Sequence, residues 1–451
     1  MALRSNISKE DFLSVFQNLP FPPLAENGWE TKALEKFKSF DFPSKSDEKW
    51  RHTNISRLLQ HHFGLGIALK PDKKIVDSFT IPGLDAYRMV FVNGYFFPEF
   101  SNQINGKKII IKSLASAKSE NKDIFELYFE KTRISDENFF TNLNTAYATN
   151  GNFIYIDENT VLDKPLQIIN FSDGKDSKTI SQYRNIILAR RGSKAQIITS
   201  YHSLSVNFTL TNAATEIFLE ADAHLNFNIF QGEGDDAFHV NHTRVIQETG
   251  SRFSAHTLTM CGAIVRNDIQ VKQAGEGCDT KLNGLYLPSR EQHFDNNTFI
   301  HHAKPHGTSN QVYKGIIDNK SSAVFLGKVL VDRDAQKINA YQSNRNILLT
   351  KYAKVNSKPQ LEIYADDVAC SHGSTTGQID KEALFYLQSR GINRRHAELL
   401  LLSAFIADVI ETIEIEPLRM LVKLLISKRL DGENPESKCS MDEICHGCDM
   451  L

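Results

Sequence analysis

The chain has 451 residues, of which 24% are charged and 41% hydrophobic, and its formal net charge is −2. This composition is typical of a soluble globular protein, and the charge balance excludes a general attraction to nucleic acid or to anionic membranes. Residues 1–10 lack the apolar core of a signal peptide, and no apolar run approaches the roughly 18 residues that cross a bilayer, so we expect a cytoplasmic protein. We therefore expect its six cysteines to be free thiols or metal ligands rather than disulfides.

Residues 1–84 are predicted to form an N-terminal helical region. Ser8 can cap the first helix, and Pro20 can end it. The apolar residues of the three predicted helical stretches are, in chain order, Phe12, Val15, Phe16 and Leu19; Trp29, Ala33, Leu34 and Phe37; and Trp50, Ile55, Leu58 and Leu59.

From residue 85 to residue 376 the pattern changes to short runs of β-branched and aromatic residues. Each run is bounded by Gly, Asn, Asp or Ser, which is typical of strands. The predicted strands cover residues 89–93, 153–156, 166–171, 185–189, 195–200, 215–219, 225–230, 244–247, 268–271, 322–331 and 346–349. Only residues 123–147 are predicted to be helical within this zone.

Turn-forming residues recur in this zone about every 25–30 residues, which is the spacing of a solenoid. The predicted turns lie at residues 191–193, 220–222, 249–251, 275–277, 306–308 and 332–334. Strand–turn–strand repeats without intervening helices favour a parallel β-helix, in which each coil buries its face on the next. The periodicity alone leaves a β-sandwich or a pair of barrels open.

Residues 377–432 are predicted to be helical again. A helix at residues 381–390 follows Asp380, and Gly391 can end it in the left-handed conformation. Asn393 can cap a second helix, and Pro417 lies near the start of a third at residues 418–430. The second helix carries an apolar stripe that is broader than one packing face requires, including Leu399, Leu402, Phe405, Ile406 and Val409.

Cys370 and His372 are two residues apart in a run that resembles a strand. In a strand, positions i and i+2 point to the same face and lie roughly 6–7 Å apart. Thiolate and neutral imidazole are both competent iron ligands. The pair could therefore hold half of a cluster at the rim of a solenoid, and the alternative is a buried cysteine beside a hydrogen-bonded histidine.

Residues 433–451 form a polar tail that contains Cys439, Cys445, His446 and Cys448. Cys445 and Cys448 form a C-x-x-C pair, a spacing that suits zinc or an iron–sulfur cluster. A tail with reactive thiols and no ligand is the alternative.

Four histidines, at positions 293, 301, 302 and 306, raise the possibility of a metal-dependent β-barrel enzyme. His301 and His302 would point to opposite faces of a strand, and Pro305 interrupts the run, so we do not favour this reading. A β-helical carbohydrate-active enzyme is a further alternative, but the sequence shows no obvious pair of catalytic carboxylates. Gly327-Lys328 is followed by Val329 in a strand-like run and does not form a phosphate-binding loop.

Several motifs resemble the SufD group of the SufB/SufD family of iron–sulfur cluster assembly proteins. They are the segment 364–373, which includes Cys370 and His372 and runs into Gly377 and Asp380; Arg390-Gly391-Ile392; Lys49-Trp50-Arg51-His52-Thr53-Asn54; Leu143-Asn144-Thr145-Ala146; and Arg266-Asn267-Asp268 with Gly284-Leu285-Tyr286. The motifs occur in order over about residues 30–430. SufB-like chains differ in carrying His-Glu where this chain has residues 370–373.

The resemblance implies a mainly β protein, a flattened right-handed parallel β-helix flanked by N-terminal and C-terminal helical regions. It implies a non-catalytic scaffold that pairs with a SufB-like paralogue and is bound by a SufC-like ATPase. It also implies a cluster assembled at the paralogue interface, with a contribution from His372. We expect Cys370 to assist His372 at this interface and the apolar stripe around Phe405 to dock the ATPase. We expect the chain alone to bind no cofactor stably. Without its paralogue, the chain could form a homodimer.

Overall fold

The computed structural model describes residues 8–18, 39–129, 138–148, 150–175, 177–205 and 207–431. The helix predicted around Trp29, the helix end predicted at Gly432 and the tail with Cys439, Cys445, His446 and Cys448 lie outside these residues. The centre of the chain is a parallel β-solenoid made of two sheets, with helices before and after it. The predicted fold class is therefore confirmed, and the β-sandwich and barrel alternatives are wrong.

The N-terminal region consists of short elements packed on the solenoid. Helix α1 spans Lys9–Ser14 and continues as a 3-10 helix at Val15–Asn18. The Ser8 hydroxyl accepts a hydrogen bond from the Asp11 backbone N–H at 3.0 Å, so the predicted cap is confirmed. The following elements are 3-10 helices at Glu48–Trp50 and Leu58–Gln60, strand β1 at Gly64–Leu65 and helix α2 at Lys73–Ser78.

Antiparallel strands close the first end of the solenoid. Strand β3 pairs antiparallel with β2, β4 pairs antiparallel with β5, and β3 and β4 are the outermost strands of their sheets. Three helices follow, of which α3 was not predicted. The bounds are β2 Tyr87–Val92, β3 Tyr95–Phe96, a 3-10 helix at Pro98–Phe100, β4 Ile104–Asn105, β5 Ile109–Ser113, α3 Leu114–Glu120, α4 Lys122–Phe129 and α5 Phe139–Tyr147.

The solenoid coils alternate between the two sheets. Even-numbered strands from β6 to β20 form sheet A, and odd-numbered strands from β7 to β21 form sheet B. The bounds are β6 Asn152–Ile156, β7 Leu166–Ser172, β8 Thr179–Ala189, β9 Lys194–Ser203, β10 Thr209–Leu219, β11 His224–Gly232, β12 Phe238–Gln247, β13 Arg252–Thr259, β14 Ile264–Gln273, β15 Asp279–Tyr286, β16 His293–His302, β17 Thr308–Ile317, β18 Ser322–Val331, β19 Ile338–Leu348, β20 Lys354–Ile363 and β21 Val368–Gly377.

Neighbouring coils are stacked in parallel register. Phe238 pairs with Leu210 in one neighbouring coil and with Ile264 in the other. The number of residues per coil varies. It is smallest between the paired residues Phe238 and Ile264, and it is larger between Ser322 and Lys354, where a larger turn joins the sheets. Large side chains such as Phe253 fill the interior of the coils. Their close packing restricts which residues can occupy neighbouring positions. A Cβ atom on Gly284 would lie 2.2 Å from the Tyr313 ring, so only glycine fits.

One residue in each turn from sheet A to sheet B between β6 and β19 has a positive φ angle, so these turns also form a stack. Their backbones are joined between coils, for example by the Gly192 N–H donating to Ala221 and the Gly250 N–H donating to Glu276. This stack is the recurrence visible in the sequence, although the last such residue is Lys337, beyond the predicted turn at 332–334. The residues are Asn159, Gly192, Asp222, Gly250, Gly277, His306 and Lys337.

Three helices follow the solenoid: α6 at Lys381–Ser389, α7 at Arg394–Ile410 and α8 at Glu416–Leu430. The predicted Asn393 cap and left-handed Gly391, with φ of +88°, are confirmed. Helix α7 lies across the outer face of sheet B near β15 and β17. Lys314 of β17 anchors it by donating to the Phe405 carbonyl and to the Asp408 carboxylate, the latter at 2.7 Å.

This packing corrects part of the predicted docking surface. Leu402, Ile406 and Val409 are buried in a cluster that also contains Leu258 and Ile316 of sheet B. Their burial stabilises the attachment of α7 to the solenoid, so they are not available to a partner protein in this structure. Leu399 and Phe405 are half-buried.

Among the described residues, no helix combines the length and the apolar character needed to cross a membrane.

A buried cationic cluster fastens the N-terminal region to sheet A. The Arg266 guanidinium makes two 3.0 Å hydrogen bonds to Asp268, one of 2.7 Å to Asp295 and one of 2.8 Å to the Lys49 carbonyl. It also stacks on Trp50 at 3.9 Å from the ring centroid. Burial alone would lower the pKa of Arg266, but the two carboxylates outweigh it and raise the pKa. Two of the recognised motifs therefore meet here in a structural role.

We predict that Asp295→Asn lowers the free energy of unfolding by about 3–5 kcal/mol, because it leaves the buried Arg266 charge partly uncompensated. Urea unfolding followed by circular dichroism measures this. The matched control is Asp367→Asn, whose ion pair with Lys337 is mostly exposed, and we expect it to cost less than about 1 kcal/mol. Equal losses in the two variants would contradict the assigned role of the cluster.

Candidate functional site

The last coil of the solenoid presents two edges without a further strand. In the part of the chain that the structure describes, β20 pairs only with β18, and β21 pairs only with β19. Both edge strands are ten residues long. Their outer backbone N–H and C=O groups are available to another chain. We call these two edges the open end.

Cys370 and His372 both lie on β21 at the open end. Cys370 pairs with Ala340 and His372 with Gln342, and these two partners are buried inside the preceding coil. Paired residues of neighbouring parallel strands point to the same side of the sheet. Cys370 and His372 therefore point toward the coil interior, as Ala340 and Gln342 do. The predicted strand and the shared face are thus confirmed.

The two side chains differ in burial. Cys370 is half-buried and packs with apolar residues that include Val331 and Ile338. Burial raises the pKa of its thiol, and a hydrogen bond from the Ala340 backbone opposes this only in part. The free thiol is therefore protonated at neutral pH, and binding a metal would release its proton. His372 is exposed. This arrangement differs from the alternative of a buried cysteine beside a hydrogen-bonded histidine.

Gln342 is a polar group under His372 that the sequence reasoning missed. It is fully buried, and neither its amide nitrogen nor its oxygen has a hydrogen-bond partner among the described residues. A Cβ atom on Gly327 would lie 2.2 Å from the Gln342 amide nitrogen, so that glycine makes room for it. The only signal in the sequence that could have identified Gln342 is that it precedes His372 by one coil. The preceding coil therefore contains a side-chain amide whose hydrogen-bond donors and acceptor are not used by the described residues.

Cys370 and His372 supply two candidate ligands, which is fewer than an iron–sulfur cluster needs. Within the described ranges, no group of three or more His, Cys, Asp or Glu side chains could hold a metal ion. The four histidines considered for a metal-dependent enzyme are also separated. His293 bonds Thr53 and Ser322, His301 bonds Asp332 on the surface, and His302 is buried against Ser309.

Cys261 and Cys278 are buried in the solenoid and fill space there, in agreement with the prediction from sequence. Burial raises the pKa of both thiols. The four candidate metal ligands Cys439, Cys445, His446 and Cys448 are outside the described residues, so their metal site stays a prediction.

The helices α6 and α7 carry an exposed apolar surface that differs from the predicted stripe. Its members are Phe385 and Tyr386 of α6 and Leu400 of α7, which are 73%, 57% and 44% exposed. Helix α6 has no buried residue at all in its described length. We call these three side chains the α6–α7 patch. Phe385 and Tyr386 are adjacent on α6, and clustered exposed apolar side chains are typical of protein interaction sites.

Comparison with known proteins identifies the family. The model described as SUF system FeS cluster assembly, SufBD core domain, matches residues 171–405, and the SufBD protein N-terminal region matches residues 25–168. The chain belongs to the SufBD family. An iron–sulfur cluster assembly SufBD family protein of Synechocystis is 31% identical over 88% of this chain and 89% of its own length. The iron–sulfur cluster assembly protein SufD of Escherichia coli is 29% identical over 88% of this chain and 92% of its own length.

The matched regions cover both the candidate site and the buried Arg266 cluster of this SufBD protein. The core domain match begins in β7 and continues through β21 into α7, so it includes Cys370, His372 and Gln342. The N-terminal match includes Trp50, which packs on Arg266. The recognised motifs are thus distributed over the whole family match, which confirms the resemblance seen in the sequence.

We predict that Cys370 of this SufBD protein is alkylated faster than Cys261 and Cys278 in the folded chain, because only Cys370 is partly accessible. Brief treatment with iodoacetamide and peptide mapping by mass spectrometry measures the three rates. The Cys370 rate should rise as the pH is raised above about 8.5, since the thiolate reacts and the pKa is raised. Equal native rates at Cys370 and Cys278 would contradict this assignment.

Proposed function

We propose that this chain is a non-catalytic scaffold subunit for iron–sulfur cluster assembly. It would pair with a SufB-like paralogue through the open end, and a SufC-like ATPase would bind its C-terminal helices. The observation that carries the proposal is the position of Cys370 and His372 on β21, an edge strand that the described residues pair on one side only. Family membership supports the same role, since both closely similar relatives are named as cluster assembly proteins.

Pairing at the open end would complete two things at once. A partner strand would satisfy the free backbone groups of β20 and β21. It would also bring further ligands to Cys370 and His372, which cannot hold a cluster alone. The cluster is then the cargo of the complex, formed transiently, and the separate subunit holds no stable cofactor. In the absence of the paralogue, the same edges could join two copies of this chain.

The unpaired Gln342 amide supports a polar role for the mouth of the last coil. It lies directly below His372 in the ladder and can accept a hydrogen bond from the imidazole or donate one to a bound sulfide or water. Such a contact would fix the imidazole ring for iron binding, as partners of metal-bound histidines do. Gln342 therefore belongs to the proposed site as a positioning residue.

Binding of the ATPase would use the α6–α7 patch in place of the predicted stripe. Leu402, Ile406 and Val409 already hold α7 on sheet B, whereas Phe385 and Tyr386 face solvent. ATP hydrolysis would be supplied entirely by this partner. In the described part of the chain, Gly327 and Lys328 lie within strand β18 and not in a phosphate-binding loop.

We expect His372→Ala to abolish iron and sulfide loading while leaving the complex intact. The chain is co-expressed with the SufB-like and SufC-like proteins of its source, and the complex is measured by size-exclusion chromatography, native mass spectrometry and iron and sulfide analysis. His62→Ala, another exposed histidine, is the matched control and should load normally.

The possible failures of this experiment are distinguishable. If the wild-type chain forms no complex, the proposed partners are wrong. If the complex forms and His372→Ala loads clusters like the control, the scaffold role stands and the assigned site is wrong. Cys370→Ser then tests whether the thiol alone carries the function.

We predict that the double substitution Phe385→Ser with Tyr386→Ser weakens binding of the ATPase subunit by more than about tenfold, because exposed aromatic anchors commonly contribute about 2 kcal/mol each at interfaces. Binding is measured by biolayer interferometry with the immobilised chain. Val161→Ser removes an exposed apolar side chain elsewhere and should leave the affinity unchanged. An unchanged affinity in the double variant would exclude the α6–α7 patch.

A further inference from the structure

A cationic cavity lies on the flank of the solenoid, and its lining reaches Ser322 of β18, the neighbour of edge strand β20. Its volume is about 470 Å³, and it forms where residues 45–57 meet strands β14, β16 and β18. Ala263 and Ile264 contribute an apolar part of its lining. Its polar wall contains five exposed side chains from the N-terminal region: Lys45, Arg51, His52, Asn54 and Arg57.

The charges of this cavity are not balanced locally. Glu291 is the one acidic residue in its lining, against the three cations Lys45, Arg51 and Arg57. Arg57 forms a 3.1 Å ion pair with Asp236, but within the described ranges no carboxylate lies at ion-pair distance from Lys45 or Arg51. Arg51 also interacts electrostatically with nearby Glu48, but the lining itself has more cations than carboxylates, and this excess creates a positive potential that attracts an acidic group.

The described chain ends close to this cavity. Helix α8 finishes at Leu430, and the Arg429 guanidinium donates to the Leu287 carbonyl at 3.2 Å and to the Gln292 side chain at 2.5 Å. Gln292 is the residue between Glu291 and His293, which both line the cavity. Arg429 therefore contacts the immediate sequence neighbour of two cavity residues, and α8 ends one residue later, at Leu430.

The segment that follows has the complementary charge. Residues 432–451 contain one basic residue, Lys438, and an excess of acidic residues, which are Glu433, Glu436, Asp442, Glu443 and Asp449. An extended chain covers about 3.3 Å per residue, so the 20 residues 432–451 can reach up to about 66 Å from Asp431.

We propose that the cationic cavity binds the acidic C-terminal segment, residues 432–451, of the same chain. Carboxylates of the segment would pair with Lys45 and Arg51. The three cysteines of the segment would then be held beside the solenoid flank. This attachment does not depend on the cluster assembly role proposed above.

Disulfide trapping in the full-length chain tests the proposal. His52→Cys places a thiol in the cavity wall, and the segment already contains Cys439, Cys445 and Cys448. After equilibration with a glutathione redox buffer, trypsin releases residues 52–57 joined to residues 439–451 if the segment is bound. A bound segment holds its thiols at an effective concentration in the millimolar range, so we expect about tenfold more of this linked peptide than in the control.

The matched control is Lys107→Cys, an exposed position between β4 and β5 at the closed end of the solenoid. Charge reversal by Lys45→Glu with Arg51→Glu, added to His52→Cys, should reduce the linked peptide to the control level, as should high salt. Trypsin no longer cuts at position 51 in this variant, so the peptide to be measured there is residues 50–57 joined to residues 439–451. Circular dichroism checks that the variants remain folded, which we expect because both substituted side chains are exposed.

Equal trapping by His52→Cys and Lys107→Cys overturns the proposal. Trapping that survives charge reversal also overturns it, because the cations would then not hold the segment. If trapping equals the control while inorganic phosphate binds the wild-type chain and not the charge-reversed variant in calorimetry, the cavity serves free anions and the proposal is again wrong.

Discussion

Each coil of the solenoid completes its backbone hydrogen bonds only through the coils on either side of it. This constraint fixes the parallel register, and it leaves the final coil with a neighbour on one side only. The free edges of β20 and β21 are therefore a direct product of the interaction that holds the fold together. Cys370 and His372 derive their position from the same cause, since their strand has a coil below it and none above.

Much of the fold could be predicted because the turns recur with the coil. The strand predicted at residues 322–331 coincides with Ser322–Val331. Strands such as β15 and β17 were missed because their inward positions include polar side chains, which bond to each other across the interior. The Gln273 amide donates to Thr280, and the Thr298 hydroxyl donates to Gln311. Such hydrogen-bonded pairs can be buried although the residues are polar. Hydrophobic periodicity therefore does not detect the strands that carry them.

The site could be predicted only as far as local spacing reaches. The shared face of Cys370 and His372 follows from the geometry of a strand, whereas Gln342 joins them through a register that depends on the length of the intervening turn. The apolar stripe of α7 shows the same limit. Leu402 and Ile406 would have the same spacing on a helix that covers its own sheet and on one that faces a partner, and the packing on Leu258 decides between the two.

The two ends of the solenoid are not equivalent, and this bears on how many chains can join. At the first end, the two-residue strands β3 and β4 run antiparallel and leave almost no edge to extend. At the last end, two ten-residue edges are free. Head-to-tail growth needs a usable surface at both ends of every copy, and the described residues of this chain provide one at the last end only. Edge-to-edge association must therefore stop after a single pairing event, which protects a molecule with long exposed strands from forming fibres.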